Sequence, residues 1–324
     1  MKVTVIIPNY NGLRFLKDCL TALENQSMKD FETLVIDNAS SDESVAYIRE
    51  NFPNVNVMVM EKNLGFSGGV NVGIQSAKTP YVLLLNNDTE VDTHFVEEMV
   101  HAIEESPNIF SVSSKMIQFY DREKLDDAGD LYGILGWGFQ RGIDAPATSY
   151  TKKEEIFSAC AGAAIYRKDV FEKIGYFDEL HFAYLEDIDV GYRGKIAGYK
   201  NMYCPTAIVY HVGSGTSGSK YNSFKVKLAA RNSVYLNYKN MPNIQLVINS
   251  LPLCLGWFLK WRFFKKNGFE KDYVDGLKEG FSTRKKCKRV QFQWKNWKNY
   301  VKIEWQLIKN MWIYCIEFGK RKIK

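Results

Sequence analysis

The chain has 324 residues, 46% of them apolar, with 43 Lys and Arg against 37 Asp and Glu. That composition excludes a disordered chain and leaves material for one large α/β domain or two modest ones. The net charge of +6 hides a division at residue 220. Residues 1–219 hold 19 basic and 31 acidic side chains, and residues 220–324 hold 24 and 6. Six of the seven tryptophans lie in the second segment. Six scattered cysteines with no Cys-x-x-Cys pair argue against a disulfide scaffold or a zinc site and fit a reducing cytoplasm. No secretory pattern is expected, because only Val3 to Ile7 separate Lys2 from Pro8.

In chain order, Val3 to Ile7 reads as a buried strand, followed by a polar turn through Pro8, Asn9, Tyr10, Asn11 and Gly12. A helical pattern follows through Leu13, Leu16, Leu20 and Leu23. Strands are predicted at 31–36, 55–60 and 81–85, with a helix at 44–51 and another, through Asn71 and Ile74, opened by the stretch Asn63 to Gly69. This alternation predicts βαβ units and a parallel sheet. Each of the first four strands runs into a polar or glycine-rich loop, at the edge where open α/β sheets bind ligands. Asp37, beside Asn38 and Ser40, suits the edge of a pyrimidine base, while Ser41 or Asp42 suits a helix cap. Glycines at 65, 68, 69 and 73 do not form the dinucleotide fingerprint, although they allow close backbone approach to a ligand. Asp88, after Asn86 and Asn87, suits partial coordination of a hard divalent cation, and a turn aspartate is the competing reading.

Farther on, a strand before a helix start at Lys168 and Asp169 is predicted, with Gly175 closing that helix. Glu186, Asp187 and Asp189 then place three carboxylates in four positions. On a helix, Glu186 and Asp189 share a face, and Asp189 pairs with Arg193 at i and i+4. Asp187 is left for chemistry, against the alternative of a solvated acidic first turn. His211, at the tip of the strand Ala207 to Tyr210, suits a metal contact, a phosphate contact or a structural role.

Taken in order, these motifs resemble family 2 glycosyltransferases, inverting enzymes of the GT-A fold. The resemblance runs from Val3 to about Asn232 and rests on the segments at 5–11, 35–42, 63–71, 84–89 and 186–193, completed by His211. It is most similar to bacterial rhamnosyltransferases that build surface polysaccharide from dTDP-rhamnose; a UDP-sugar donor is the alternative. The resemblance implies a Rossmann-like mixed sheet flanked by helices over residues 1–235. It implies that Pro8, Asn9, Tyr10, Asp37 and Asn38 contact the nucleotide, and that Asn63, Gly65, Asn71 and Asn87 line the donor pocket. Asp88 would hold Mg²⁺ or Mn²⁺ with His211, and Asp187 would be the general base, with Glu186, Asp189 and Arg193 in support. Asn86 departs from the family, where many members carry the first aspartate of a D-x-D motif. A sugar nucleotidyltransferase is the rival enzyme, but Pro8 to Gly12 lacks the basic residue expected there.

The remaining residues, 236–324, are expected to form a basic, Trp-rich helical extension. Trp294, Trp297, Val301, Trp305, Ile308, Trp312 and Ile316 recur at spacings of three and four, flanked by Lys295, Lys302 and Lys309. Tryptophan and lysine beside an apolar face suit an anionic membrane interface; packing on the catalytic domain is the alternative. The uncharged run 240–259 contains Pro242 and Pro252 with polar residues between, which favours an interfacial or re-entrant segment over a span. The whole then predicts a cytoplasmic protein peripheral to the inner face of the membrane. Its acceptor would be a polyprenyl-diphosphate-linked glycan. Nucleic acid is not an expected partner, because a binding module has no use for the ordered acidic motifs of the first segment.

Overall fold

The structure is a computed structural model and describes residues 1–213 and 221–323. The first half alternates as the spacing predicts: β1 (Val3–Asn9), α1 (Leu13–Glu24), β2 (Phe31–Asp37), α2 (Ser44–Asn51), β3 (Asn56–Val59), α3 (Gly65–Ser76) and β4 (Tyr81–Leu85). Next come β5 (Thr89–Val91), α4 (Phe95–Glu104), β6 (Ile109–Gln118), β7 (Leu125–Asp127), β8 (Asp130–Gly133), β9 (Trp137–Gln140), β10 (Glu154–Ile156), β11 (Ala163–Arg167) and α5 (Lys168–Ile174). The chain then forms α6 (Glu186–Ile196), β12 (Lys200–His211), α7 (Ser223–Asn240), α8 (Asn243–Ile248), α9 (Ser250–Lys266), α10 (Glu270–Thr283) and α11 (Trp297–Ile323).

The sheet order is β10-β12-β6-β11-β4-β1-β2-β3, with β5 on β12 and β7 on β6. β4, β1, β2 and β3 are parallel, whereas β11 runs antiparallel to β4 and β6. The sheet is therefore mixed. Its central strands are apolar throughout because both faces are covered. Leu16, Leu20, Phe95 and Met99 pack one face, and Val70, Ile74, Phe171 and Val190 pack the other. The parallel half directs its carboxyl ends to one edge, which gathers the polar strand tips there.

The C-terminal helices close over β8 and α6. A third core joins Leu131, Tyr132, Ile188, Tyr192, Leu236, Leu253, Tyr300, Ile303 and Leu307. α11 turns its Tyr300, Ile303, Leu307 and Asn310 face inward, with Asn310 Nδ2 donating to the Tyr132 carbonyl at 2.9 Å. The tryptophan stripe lies on its other face: Trp305 and Trp312 are each 69% exposed, while Ile308 is half-buried. Packing and an exposed aromatic face thus coexist on one helix. The run 240–259 is broken into α8 and α9 at Asn249, and no helix among the described residues is long and apolar enough to cross a membrane. Trp257 and Trp261 turn inward and donate to Ser233 Oγ and Glu270 Oε1.

Candidate active site

The parallel register sets Asn9 at the tip of β1 beside Asp37 at the tip of β2. Asn9 Nδ2 donates to Asp37 Oδ2 at 2.9 Å, and Asn87 Nδ2 donates to Asn9 Oδ1 at 2.7 Å. The Ser40 amide and hydroxyl complete the Asp37 carboxylate at 2.9 and 2.7 Å. Three strand tips are thereby stitched into one polar floor, with Asn9, Asp37 and Asn87 all buried. Pro8 is half-buried and Tyr10 is 39% exposed at its rim. Gly12 is obligatory here, because a Cβ would stand 2.0 Å from Asn87 Nδ2. Asp42 does the capping: its Oδ1 accepts from the Ser44 amide and its Oδ2 from Leu13. Burial opposes its charge, but those hydrogen bonds outweigh burial and lower its pKa.

The glycine loop is built against protein. A Cβ on Gly65, whose φ is +72°, would meet the Phe182 ring at 2.5 Å, and one on Gly69 would meet Asn38 at 2.7 Å. Asn63 Oδ1 caps the Gly65 amide at 2.8 Å, and Asn38 Nδ2 donates to the Gly65 carbonyl at 3.2 Å. Asn71 is drawn away from this group. It pairs with the backbone of Phe177 in both directions, at 2.8 and 3.0 Å.

Asp88 lies at the tip of β4 with 6% exposure, facing His211 at the end of β12. Their Oδ1 and Nε2 are 3.3 Å apart, and His211 Nδ1 is 2.7 Å from Asp126 Oδ2. Burial works against charge on the imidazole, but hydrogen bonds to Asp126 and Asp88 prevail and push its pKa up to about 10. Asp126 was not among the residues expected to act here. It fixes the imidazole so that Nε2 points at Asp88, the orientation that a carboxylate–histidine pair gives a metal ligand. A carboxylate oxygen and an imidazole nitrogen converge there, and a divalent cation bound between them would take the place of the Nε2 proton. A separate trio, Asp127, Asp130 and Cys160, brings three ligand-type atoms within 4.8 Å of one another. A thiol among two carboxyls is unlike the oxygen shell Mg²⁺ prefers, so Asp88 and His211 stay the cation candidates.

Glu186, Asp187 and Asp189 open α6. As the i, i+4 spacing predicts, Asp189 receives Arg193 at 2.8 Å; it also receives Lys239 Nζ at 2.9 Å and Asn240 Nδ2 at 2.7 Å from α7. Burial alone would raise the Asp189 pKa, yet Arg193 and Lys239 hold it far below the carboxylate range. Glu186 is buried with Oε2 lacking a donor, and Asp187 is half-buried at the helix start. The approach to that start is strained: Phe182, Tyr184 and Leu185 all have φ between 63° and 71°. Left-handed backbone of this kind persists only where its surroundings hold it. Asn232 of α7 does so, its Nδ2 donating to the carbonyls of His181, Ala183 and Tyr184 at 2.8–2.9 Å. Nothing in residues 181–189 announces that partner, which lies more than 40 positions away.

The model of the family described as "Glycosyl transferase family 2" matches residues 4–175. The chain belongs to that family. Low-identity relatives include the low-salt glycan biosynthesis hexosyltransferase Agl10 of Haloferax volcanii, 24% identical over 82% of this chain and 85% of that protein. The N-acetylglucosaminyl-diphospho-decaprenol L-rhamnosyltransferase of Mycobacterium tuberculosis is 24% identical over 66% and 77%. The O-antigen chain rhamnosyltransferase RfbN of Salmonella typhimurium is 25% identical over 69% and 70%. Coverage of relatives varies: this chain spans only 25% of an uncharacterized Sinorhizobium fredii protein that it matches. Among solved structures, GalNAc-T7 with UDP, GalNAc and Mn²⁺ superposes with a TM-score of 0.63 at 16% identity, over 89% of this chain and 55% of that one. Staphylococcus aureus TarS 1–349 with UDP-GlcNAc gives 0.58 at 18%, over 88% and 81%. These likenesses establish a GT-A fold, and the protein is a glycosyltransferase resembling rhamnosyltransferases.

Asn232→Ala strands three loop carbonyls without their donor. It is expected to lower unfolding free energy by roughly 1–3 kcal/mol and to speed amide exchange at residues 183–188. Unchanged stability and exchange would remove Asn232 from the support of α6.

Proposed function

We propose that the enzyme transfers a hexose, L-rhamnose from dTDP-rhamnose, with inversion onto a lipid-linked glycan. The observation that carries this reading is the Asn9–Asp37–Asn87 floor beside the Asp88–His211 pair, with Asp187 linked to them by its hydrogen bond to the Ala161 amide, next to the Gly162 carbonyl that accepts the Asn86 amide. In it, Asp37 and Asn38 with Pro8, Asn9 and Tyr10 receive the nucleotide, and Asn63, Gly65 and Asn87 border the donor. Asn71 acts at one remove by holding Phe177. Asp88 and His211 hold Mn²⁺ or Mg²⁺, which when bound offsets negative charge on the departing diphosphate. Asp187 accepts the proton of the acceptor hydroxyl as its oxygen attacks the anomeric carbon. Glu186, Asp189 and Arg193 keep the helix start in place. Rhamnose is supported by the Mycobacterium and Salmonella relatives being rhamnosyltransferases, and a lipid-linked acceptor by the diphospho-decaprenol acceptor of the first of these.

The direct test incubates the protein with dTDP-rhamnose, UDP-GlcNAc and GDP-mannose, with and without Mn²⁺. Sugar release or transfer from dTDP-rhamnose in preference to the others is expected, and none from Asp187→Asn, which still binds donor. Turnover by Asp187→Asn equal to wild type removes Asp187 from the chemistry. Separately, Asp126→Asn is expected to weaken Mn²⁺ binding by roughly 10–100-fold, measured by electron paramagnetic resonance of the free ion. Equal affinity would show that His211 does not depend on its carboxylate partner.

We also propose that the extension holds the enzyme peripherally at the inner face of an anionic membrane. Trp294 just before α11 and Trp305, Trp312 and Ile316 on it are exposed, as are Ile244, Val247, Ile248 and Leu251 on α8 and α9. Glu304 of α11 accepts from Gln245 and Asn249, which keeps the two apolar faces on one body. Lys295, Lys302 and Lys309, all exposed, supply attraction to anionic lipid. Binding to phosphatidylglycerol vesicles is expected at low salt, weakened about tenfold or more when Trp305 and Trp312 become alanine. No binding to such vesicles at low salt would leave the face without this role.

A further inference from the structure

Asp187 does not stand alone. Its carboxylate accepts the Ile188 amide at 2.8 Å and the Ala161 amide, and it is hydrogen-bonded to the side chain of Asp130. Two carboxyls can share a hydrogen bond only if one of them carries a proton. Burial raises the Asp187 pKa, but its two amide donors work against that and favour the negative charge there. Asp130 is 7% exposed and has Asp127 beside it, whose two oxygens are buried with no donor. The proton therefore belongs on Asp130.

The surroundings enforce this assignment. Glu186 on α6 and Asp127 on β7 add two more buried carboxyls, while Cys160 before β11 and Tyr166 on β11 remain neutral, their pKa values raised by burial. Arg141 after β9 is the nearby cation; its Nε and Nη1 serve the Ala128 carbonyl and Glu154, and its Nη2 is buried without a partner. Asp189 is neutralised by Arg193 and Lys239. Four carboxyls beside one engaged arginine cannot all ionise. Burial accordingly pushes Asp127 up to about 8 and raises Asp130 well above the carboxylate range.

The backbone holds the pair together. Asp130 exchanges amide and carbonyl hydrogen bonds with Ser158 at 3.0 and 3.2 Å, and the Ser158 hydroxyl donates to the Asp187 carbonyl at 2.5 Å. One serine thus spaces the strand carrying Asp130 from the helix carrying Asp187.

We propose that the general base of this enzyme is the hydrogen-bonded pair Asp130–Asp187, in which Asp130 is a positioning residue that keeps one proton and aims the Asp187 carboxylate. The inference rests on the reading of Asp187 as the base. In the step, the acceptor O–H bond breaks and its proton passes to Asp187. A carbon–oxygen bond forms at the anomeric carbon, and the bond to the diphosphate breaks with its electron pair on the leaving group. The pair then holds two protons and returns one to solvent after product release. A pair titrates as a unit: a second proton inactivates it in acid, and loss of the shared proton weakens it in alkali by leaving two adjacent charges.

The test is the pH profile of kcat/KM for sugar transfer by the full chain. Wild type is expected to be bell-shaped. Asp130→Asn, whose amide still donates to Asp187, is expected to keep the acid limb and activity within about tenfold of wild type, and to lose the alkaline limb. A purely structural role leaves both limbs in the variant, and that result overturns the pair. The protonated-carboxyl infrared band of the protein at neutral pH gives a reading without turnover: it should diminish in Asp130→Asn, and an unchanged band again overturns the pair. A second equivalent of Mn²⁺ that survives Asp88→Ala but is lost in Asp127→Asn would overturn it too, by putting a cation where the proton is placed. If Asp187→Asn turns over normally, the base assignment itself falls; if that variant is dead and Asp130→Asn keeps both limbs, only the pair does.

Discussion

A single buried carboxylate, Asp189, joins the two unlike parts of this chain. It sits at 0% exposure and is held by Arg193 within its own helix and by Lys239 and Asn240 from α7. Removing one member of such a network typically costs 3–5 kcal/mol, because the remaining charge is left buried and unpaired. The consequence for the site is geometric. α6 cannot rotate or slide against α7 without breaking that contact, so the carboxyl two positions earlier inherits a fixed place. Asn232, one helical face along α7, fixes the loop that leads into it.

The site is assembled across the sheet. Its floor comes from β1, β2 and the tip of β4, its histidine from β12, and its acids from β7, β8 and α6. Parallel strands deliver the first group to one edge without further help. The second group depends on the mixed part of the sheet, where β7 pairs antiparallel with β6 and carries Asp126 to His211. Segments far apart in sequence thus divide the work: the first hundred residues shape the end proposed for the nucleotide, and the remainder brings the histidine and the buried acids.

Much of this was legible in the sequence. Strand tips ending in Asp37 and Asp88 announced themselves by apolar runs that stop at a carboxylate, and the Asp189–Arg193 pair followed from helical spacing alone. Asp126 and Asp130 were harder. Their partners are 85 and 57 positions away, in elements whose pairing no local pattern encodes. The clue available was the density of acids at 126, 127 and 130 in an otherwise apolar stretch. Glycines 65 and 69 looked like ligand-approach positions, yet each is small because Phe182 or Asn38 stands against it. On α11, the conspicuous tryptophans drew the eye from Tyr300, Ile303 and Leu307, which make the packing face.

The way α11 closes over β8 also bears on how the molecule is made. The Ile134 amide donates to the Leu307 carbonyl, and Asn310 Nδ2 to the Tyr132 carbonyl. The hairpin that begins at Asp130 therefore receives these hydrogen bonds from α11, more than 170 residues further along the chain. Domains tend to fold from the N-terminus during synthesis, so the nucleotide end has all its strands long before the acidic end has its cover. Until residue 310 has left the ribosome, the hairpin that carries Asp130 lacks these two hydrogen bonds, so the part of the fold proposed for proton transfer is finished after the part proposed for the nucleotide.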